Sequence, residues 1–394
     1  MKRHFTLVTC LIAALCTGMA FGQNSSTQVV GVNSVKAASS PVAYLYVSSS
    51  PSSSKNEIKA YSVSATGGLT AVAGSPFTAD VQYLAANGTY LFGSNGTDID
   101  SFSIESNGGL KKMDSINAQA FNSGSCGGPF YLFFDRTGTT LYDLDIYSDC
   151  ANNAYQFFSV GGSKGVMDYL GVTSASSPVY DVPLSFIGNN KYAYGSLCYH
   201  YEPTIFGFQR SSDGALTFTN FSAPIPDASN GDFYCPYMAA ADSTNHVAVP
   251  LDPLNSNWQP SGPTRIATYT ADSSGNLTTA STDSNMPTTL VTNNSNIWIA
   301  DISISPSGKL LAVAGTGGLQ VFHFNGAGPI THYTGLLTTD AISHVFWDSN
   351  NHLYAISQVA GKLFVFTVTP TSVSQAEGSP HPIASPQDLV VVAK

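Results

Sequence analysis

A nine-residue phrase recurs seven times along this chain, five times in full. In Tyr61-Ser-Val-Ser-Ala-Thr-Gly-Gly-Leu69 an aromatic residue is followed by a turn glycine six positions on and an aliphatic residue two beyond that. The other complete copies are Phe102/Gly108/Leu110, Phe208/Gly214/Leu216, Tyr269/Gly275/Leu277 and Phe322/Gly328/Ile330. Phe158 keeps the aliphatic Val166 but has Lys164 for the glycine, and Phe366 keeps only the aromatic strand. Alternation before the glycine (Tyr61 and Val63, Phe102 and Ile104) has the period of a strand with one buried face. The Gly-x-aliphatic that follows reads as a hairpin turn into the next strand. The aromatics are spaced by 41, 56, 50, 61, 53 and 44 residues. A repeat of that length made only of short strands predicts an all-β, seven-bladed propeller of four-stranded antiparallel blades.

A second phrase marks the inner hairpin of each blade, with a polar turn between two apolar strands. It is clearest in Phe134-Asp135-Arg-Thr-Gly138-Thr-Thr-Leu141-Tyr142 and Ile304-Ser-Pro306-Ser-Gly308-Lys-Leu310. Looser copies are Trp347-Asp348-Ser-Asn-Asn-His-Leu353, Ala241-Asp242-Ser-Thr-Asn-His-Val247, Ala86-Asn87-Gly88 and Gly188-Asn189. Six copies have both strands. The seventh is split, because Val42–Ser48 has no strand before it and Leu389, Val390, Val391 and Val392 have none after. Pairing the last strand into the first blade closes the ring and leaves no apolar edge bare. The expected blades are 42–80 with 386–394, then 81–122, 128–175, 182–224, 236–287, 296–338 and 341–385. They form one domain, 42–394.

Lys2, Arg3 and the apolar run Leu7 to Ala20 have the layout of a secretory signal peptide. Small residues in Ala20-Phe21-Gly22 place cleavage before Gln23, so 1–22 is the leader and 23–41 a flexible lead-in. An uncleaved anchor would need a longer apolar run. A lipoprotein site at Cys16 would need a smaller residue than Leu15. With Lys2 and Arg3 gone, 13 basic residues face 25 acidic ones, a net charge of −12 (13 − 25). So acidic a chain is a poor partner for nucleic acid or an anionic membrane. The reading is therefore a secreted or periplasmic monomer with no membrane span after cleavage and no cofactor. Cys126, Cys150, Cys198 and Cys235 remain, an even number that reads as two disulfides in an exported protein. No pair has the Cys-x-x-Cys spacing of a zinc site.

Leu45-Tyr46-Val47-Ser48, the repeated phrase, Gly74-Ser75-Pro76-Phe77 and Ser305-Pro306-Ser307-Gly308-Lys309-Leu310 together resemble the lactonase-type propellers. That family includes 6-phosphogluconolactonase and the propellers with Tyr-Val-Thr-Asn repeats. The resemblance runs over most of the mature chain. It implies the seven-bladed fold and, among possible activities, hydrolysis of sugar lactones. No catalytic motif of the family carries over residue by residue.

In a propeller the loops joining strands 2 and 3 share a face with the blade-to-blade loops, and ligands gather there around the channel. All four cysteines fall on that face, and blade order pairs Cys126 with Cys150 and Cys198 with Cys235. The longest 2–3 connections are expected at Tyr147–Asn153, Cys198–Thr204 and Leu251–Thr264. Tyr147, Asp149, Tyr199, Tyr201, Trp258 and His344 are the candidate ligand contacts. Trp258 reads either as a sugar platform or as a plug for its own loop, and His344 as a base or a buried structural histidine. His200 or Glu202 activating water, with Arg265 polarising a carbonyl, is the candidate catalytic set. Loop packing with a solvated carboxylate is the plainer role for that cluster. Asp143, Asp145 and Asp149 lack the glycine and terminal glutamate of a calcium loop, so no metal is expected. Arg136 and Arg210 fall on the opposite face, leaving too few cations for a phosphosugar. Two functions follow as expectations: an exported module binding a carbohydrate or cell-envelope ligand, or a hydrolase of a neutral sugar lactone.

Overall fold

A computed structural model describes residues 40–51, 55–121, 128–145, 154–161, 165–173, 182–199, 202–219, 223–292 and 299–394. The leader and most of the lead-in lie outside the described residues. The described chain forms seven antiparallel sheets, each of four or five strands, arranged as the blades of a propeller. Blade 1 consists of Pro386–Ala393, Ala43–Ser49, Glu57–Val63 and Leu69–Ala71, from the channel outwards. The chain's last strand is thus its innermost. Tyr44 pairs with Val392, Leu45 with Val391 and Tyr46 with Val390, so the ring is closed by main-chain hydrogen bonds. Leu389, Val390, Val391 and Val392 are all buried.

The inner strands of the other blades are Tyr83–Ala86, Pro129–Phe134, Ser185–Phe186, Phe233–Pro236 with Ala240–Ala241, Ile299–Ile304 and His344–Trp347. Three expectations need correction. Blade 5 begins at Phe233 rather than 236, because Phe233 and Tyr234 already pair with Leu254 and Pro253. The second strand of that blade runs on to Leu254, which shortens the loop expected at Leu251–Thr264. In blade 4 the strands Tyr192–Tyr199 and Glu202–Arg210 pair out to Tyr199 opposite Glu202, so no long loop spans Cys198–Thr204. In both places the strand pairing continues through residues read from the sequence as loop.

The repeated glycine is required for two reasons. Gly67, Gly108, Gly214 and Gly275 have φ of +80°, +84°, +98° and +87°, a left-handed conformation that side chains disfavour. Each also lies against a side chain at the start of the preceding blade's second strand. A Cβ on Gly275 would come 2.5 Å from the ring of Tyr192, and one on Gly67 would come 3.3 Å from His352. In blade 3 Gly165 (φ +59°) does this one residue later than the phrase requires. In blade 6 Gly326 (φ +60°) does it instead of Gly328. Buried tyrosines two residues further along then seal the seams, with Tyr46, Tyr142 and Tyr194 donating to the carbonyls of Gly108, Gly214 and Gly275. Blade 1 is locked to blade 2 and blade 4 to blade 5 by a tyrosine ring packed on a bare backbone and a tyrosine hydroxyl bonded to that same backbone.

Candidate functional site

The inner strands bring one equivalent residue per blade to the mouth of the channel. The amides of Asn87, Asp135, Ile187, Asp242, Ser305 and Asp348 each close an inner-hairpin turn. Four residues earlier stand Tyr83, Tyr131, Pro183, Met238, Asp301 and His344. Asp388 completes the ring in blade 1, facing Ser48 as Tyr83 faces Ser94. Both of those serines send their hydroxyls to the next inner strand, at the Gln82 and Phe130 carbonyls. Because these positions lie where the chain enters each blade, the ring is on the face of the 2–3 and blade-to-blade loops. Tyr83, Tyr131, Pro183, Met238 and His344 line a cavity of about 360 Å³ there.

The ring is chemically divided. Blades 6, 7 and 1 contribute Asp301, His344 and Asp388; blades 2 and 3 contribute Tyr83 and Tyr131; blades 4 and 5 contribute Pro183 and Met238. His344 Nδ1 lies 3.7 Å from Asp388 Oδ1, and the two side chains keep 22 % and 15 % of their exposure. Asp388 accepts the Leu84 amide at 2.8 Å and its own neighbour Leu389 at 2.7 Å. Asp301 accepts the Val345 amide at 2.8 Å. Both carboxylates therefore tie one inner strand to the next. Burial pushes the Asp301 carboxyl up to about 6, against the pull of His344 and the Val345 amide. The Asp388 carboxyl is raised for the same reason. The Tyr83 and Tyr131 rings are 4.8 Å apart and tilted by 57°. Burial raises the Tyr131 hydroxyl, and Asp388 and Asp301 add to that shift. No lysine or arginine is among the described residues lining the cavity.

Of the described residues chosen from sequence, only His344 belongs to this ring. Arg265 opens the third strand of blade 5, where Nε meets Asp283 at 3.1 Å and Nη1 donates to the Met286 carbonyl at 3.1 Å. It lines a separate rim cavity of about 240 Å³ with Tyr234, Asp232 and Asp283. The Trp258 ring packs on Phe233 with centroids 4.3 Å apart. Tyr199 and Glu202 face each other across the blade 4 hairpin as backbone. His200, Tyr201, Tyr147 and Asp149 lie outside the described residues, as do Cys126 and Cys150. Cys198 and Cys235 are joined by a disulfide, with Cα atoms 5.3 Å apart. Arg136 and Arg210 lie on the opposite face: Arg136 Nε donates to the Phe186 carbonyl at 2.7 Å, and Arg210 meets Asp135 at 2.9 Å. Among the described residues there is no group of three or more side chains that could hold a metal, and no helix long and apolar enough to cross a membrane. Counting four residues back from each inner-hairpin turn would have found Tyr83, Tyr131 and Asp301 in the sequence.

No protein-family model matches the chain, and no curated protein matches it in sequence. Solved structures do match in fold. A candidate 6-phosphogluconolactonase from Bacteroides fragilis aligns with a TM-score of 0.62 at 14% identity, over 89% of this chain and 98% of its own. A hypothetical selenium-binding protein from Sulfolobus tokodaii aligns with a TM-score of 0.56 at 10% identity, over 89% and 93%. The periplasmic gluconolactonase of Pseudomonas aeruginosa aligns with a TM-score of 0.60 at 15% identity, over 89% and 99%. The chain therefore has the seven-bladed fold seen in lactonase-type propellers.

Proposed function

We propose that this chain is an exported binding propeller that takes a small neutral polyhydroxylated ligand, a sugar or sugar lactone, at the channel mouth. The observation that carries this reading is the divided ring around the 360 Å³ cavity. His344 lines it and offers a ring nitrogen to a hydroxylated edge, with Asp388 3.7 Å from that ring and Asp301 at the equivalent position of the neighbouring blade. Tyr83 and Tyr131 supply ring faces for stacking, and Pro183 and Met238 supply apolar wall. With no cation among the described lining residues, a phosphorylated ligand lacks a partner. The leader expected at 1–22 supports export.

Hydrolysis of a neutral lactone is the second reading, favoured by one observation: a carboxyl raised to about 6 stands in the same ring as a histidine that pulls against that rise. Such a group is poised to take a proton from water near neutral pH. Calorimetric titration with D-glucose and glucono-1,5-lactone, together with a turnover assay on the lactone, tests both readings. Binding that weakens about tenfold or more in Asp388→Asn and Tyr131→Ala supports the first. Lactone turnover lost in Asp301→Asn establishes the second. No heat with either compound, or heat indifferent to both ring variants, removes the channel mouth as the site.

A further inference from the structure

The wall of the cavity on the blade 5 side is built differently from the rest of the ring. The blade 5 inner strand pairs normally from Phe233 to Pro236 and again at Ala240–Ala241, but breaks between them. The break has a cause in the sequence. The Tyr237 amide donates to the Pro250 carbonyl at 3.1 Å, and Pro250 has no N–H with which to return the bond. Met238 then adopts φ +63°, a left-handed conformation that a side chain disfavours. Its amide turns away from its own blade and donates to the Ser196 carbonyl of blade 4 at 3.0 Å. The Ser196 hydroxyl donates back to the Met238 carbonyl. Two residues beyond Ser196 is Cys198, and three residues before Met238 is Cys235, and these two cysteines are bonded. Both are half-buried rather than enclosed. A covalent link thus stands beside a hydrogen-bonded one where the ladder is broken, and the segment they fasten, Tyr237–Met238, lines the cavity.

We propose that the Cys198–Cys235 disulfide is a redox-controlled latch on the channel mouth: a thiol reductant opens it and frees Tyr237–Met238 from the cavity wall. The chemistry is thiol–disulfide exchange. A reductant thiolate attacks one sulfur to form a mixed disulfide, and a second reductant thiol resolves it. The bridge takes up two electrons and two protons to give two cysteine thiols, and the reductant's two thiols become one disulfide. The consequence for ligand binding rests on the channel-mouth reading above; the latch itself does not.

Hydrogen–deuterium exchange of the intact chain tests it, comparing oxidised protein with protein treated with dithiothreitol and with a Cys198→Ser/Cys235→Ser variant. The expected result is exchange at least tenfold faster at Tyr237 and Met238 in both the reduced protein and the variant. Segments Asp301–Ile304 and Leu389–Val392 stay unchanged. Three results overturn the latch: unchanged exchange at Tyr237–Met238, a uniform rise across all blades, or a change produced by dithiothreitol but not by the variant. The last would assign the effect to other cysteines. Glucose titration of both forms then reports on the binding reading alone. Exchange decides the latch even where glucose binds neither form.

Discussion

The hydroxyl of Tyr194, in the second strand of blade 4, donates to the carbonyl of Gly275 in the outer turn of blade 5 at 2.8 Å. Tyr192, two residues earlier, lays its ring against the same glycine. One outer turn therefore receives both a packed ring and a hydrogen bond from the neighbouring blade. The pattern recurs with Tyr44 and Tyr46 against Gly108. Repeat proteins draw their cooperativity from such nearest-neighbour interfaces. A change at one of these glycines should therefore weaken the joint between two blades rather than a single turn.

Gly275→Ala is expected to cost about 3 kcal/mol, since the new methyl meets both an unfavourable φ and the Tyr192 ring. Gly308→Ala separates the two causes. Its φ is +67°, but no atom lies within 4 Å of a built Cβ, so only the conformational cost of about 1 kcal/mol applies. Urea unfolding of the two variants measures the difference. Equal losses would mean that the close approach of blades contributes nothing.

Acid sensitivity should trace to Asp135. Its burial opposes ionisation, but hydrogen bonds from Asn190, Thr137 and the Thr140 amide, together with Arg210, outweigh that and hold the carboxyl below its usual range. A depressed folded value means the contribution is fully present above the unfolded value of about 3.9 and is lost as pH falls below it. Asp135→Asn should destabilise by about 3 kcal/mol at pH 7, because it leaves Arg210 without its buried partner. The gap between variant and parent should shrink below about pH 4. Thermal melts at pH 3 and pH 7 check it.

Asp252 should act with the opposite sign. It is buried in blade 5, and burial pushes its carboxyl up to about 7, with the Thr264 hydroxyl pulling the other way. The folded protein then holds a proton that the unfolded chain releases. Stability should fall as pH rises from about 4 to 7 and be flat beyond. Asp252→Asn removes that slope and should gain up to about 4 kcal/mol at pH 8 relative to pH 4. A parental slope that survives in the variant would assign it to other groups.

The blade count, the strand order and the closing strand were legible because each rests on a local cadence repeated along the chain. Tyr61, Phe102, Tyr269 and Phe322 all lie in third strands where that cadence puts them. The ring at the channel mouth was not legible by the same means. Its seven equivalent positions hold Asp388, Tyr83, Tyr131, Pro183, Met238, Asp301 and His344, so no residue type repeats often enough to form a pattern. Their equivalence lies in register, which the sequence yields only by counting four residues back from each inner-hairpin turn. Gly326 shows the same limit on a smaller scale: the phrase pointed to Gly328, yet the residue that packs on His246 is two earlier. Spacing alone could not tell which glycine of Asn325-Gly-Ala-Gly328 turns the chain.

Ligand binding should itself depend on pH through Asp301. Its carboxyl is raised to about 6 by burial, so it is mostly protonated at pH 5 and mostly ionised at pH 7.5. An ionised carboxylate accepts hydrogen bonds from sugar hydroxyls more strongly than a protonated one. Affinity for a neutral sugar should therefore rise several-fold across that interval. Asp301→Asn keeps the shape and an acceptor oxygen but cannot titrate, so it should bind with a flat profile near the parent's pH 5 value. His344→Gln is the control, because the imidazole lies 3.7 Å from Asp388 in the same ring and its loss should leave the slope in place if Asp301 sets it. A slope that persists in Asp301→Asn would overturn the assignment to Asp301. A profile flat in the parent itself would show that the ligand does not touch this side of the ring.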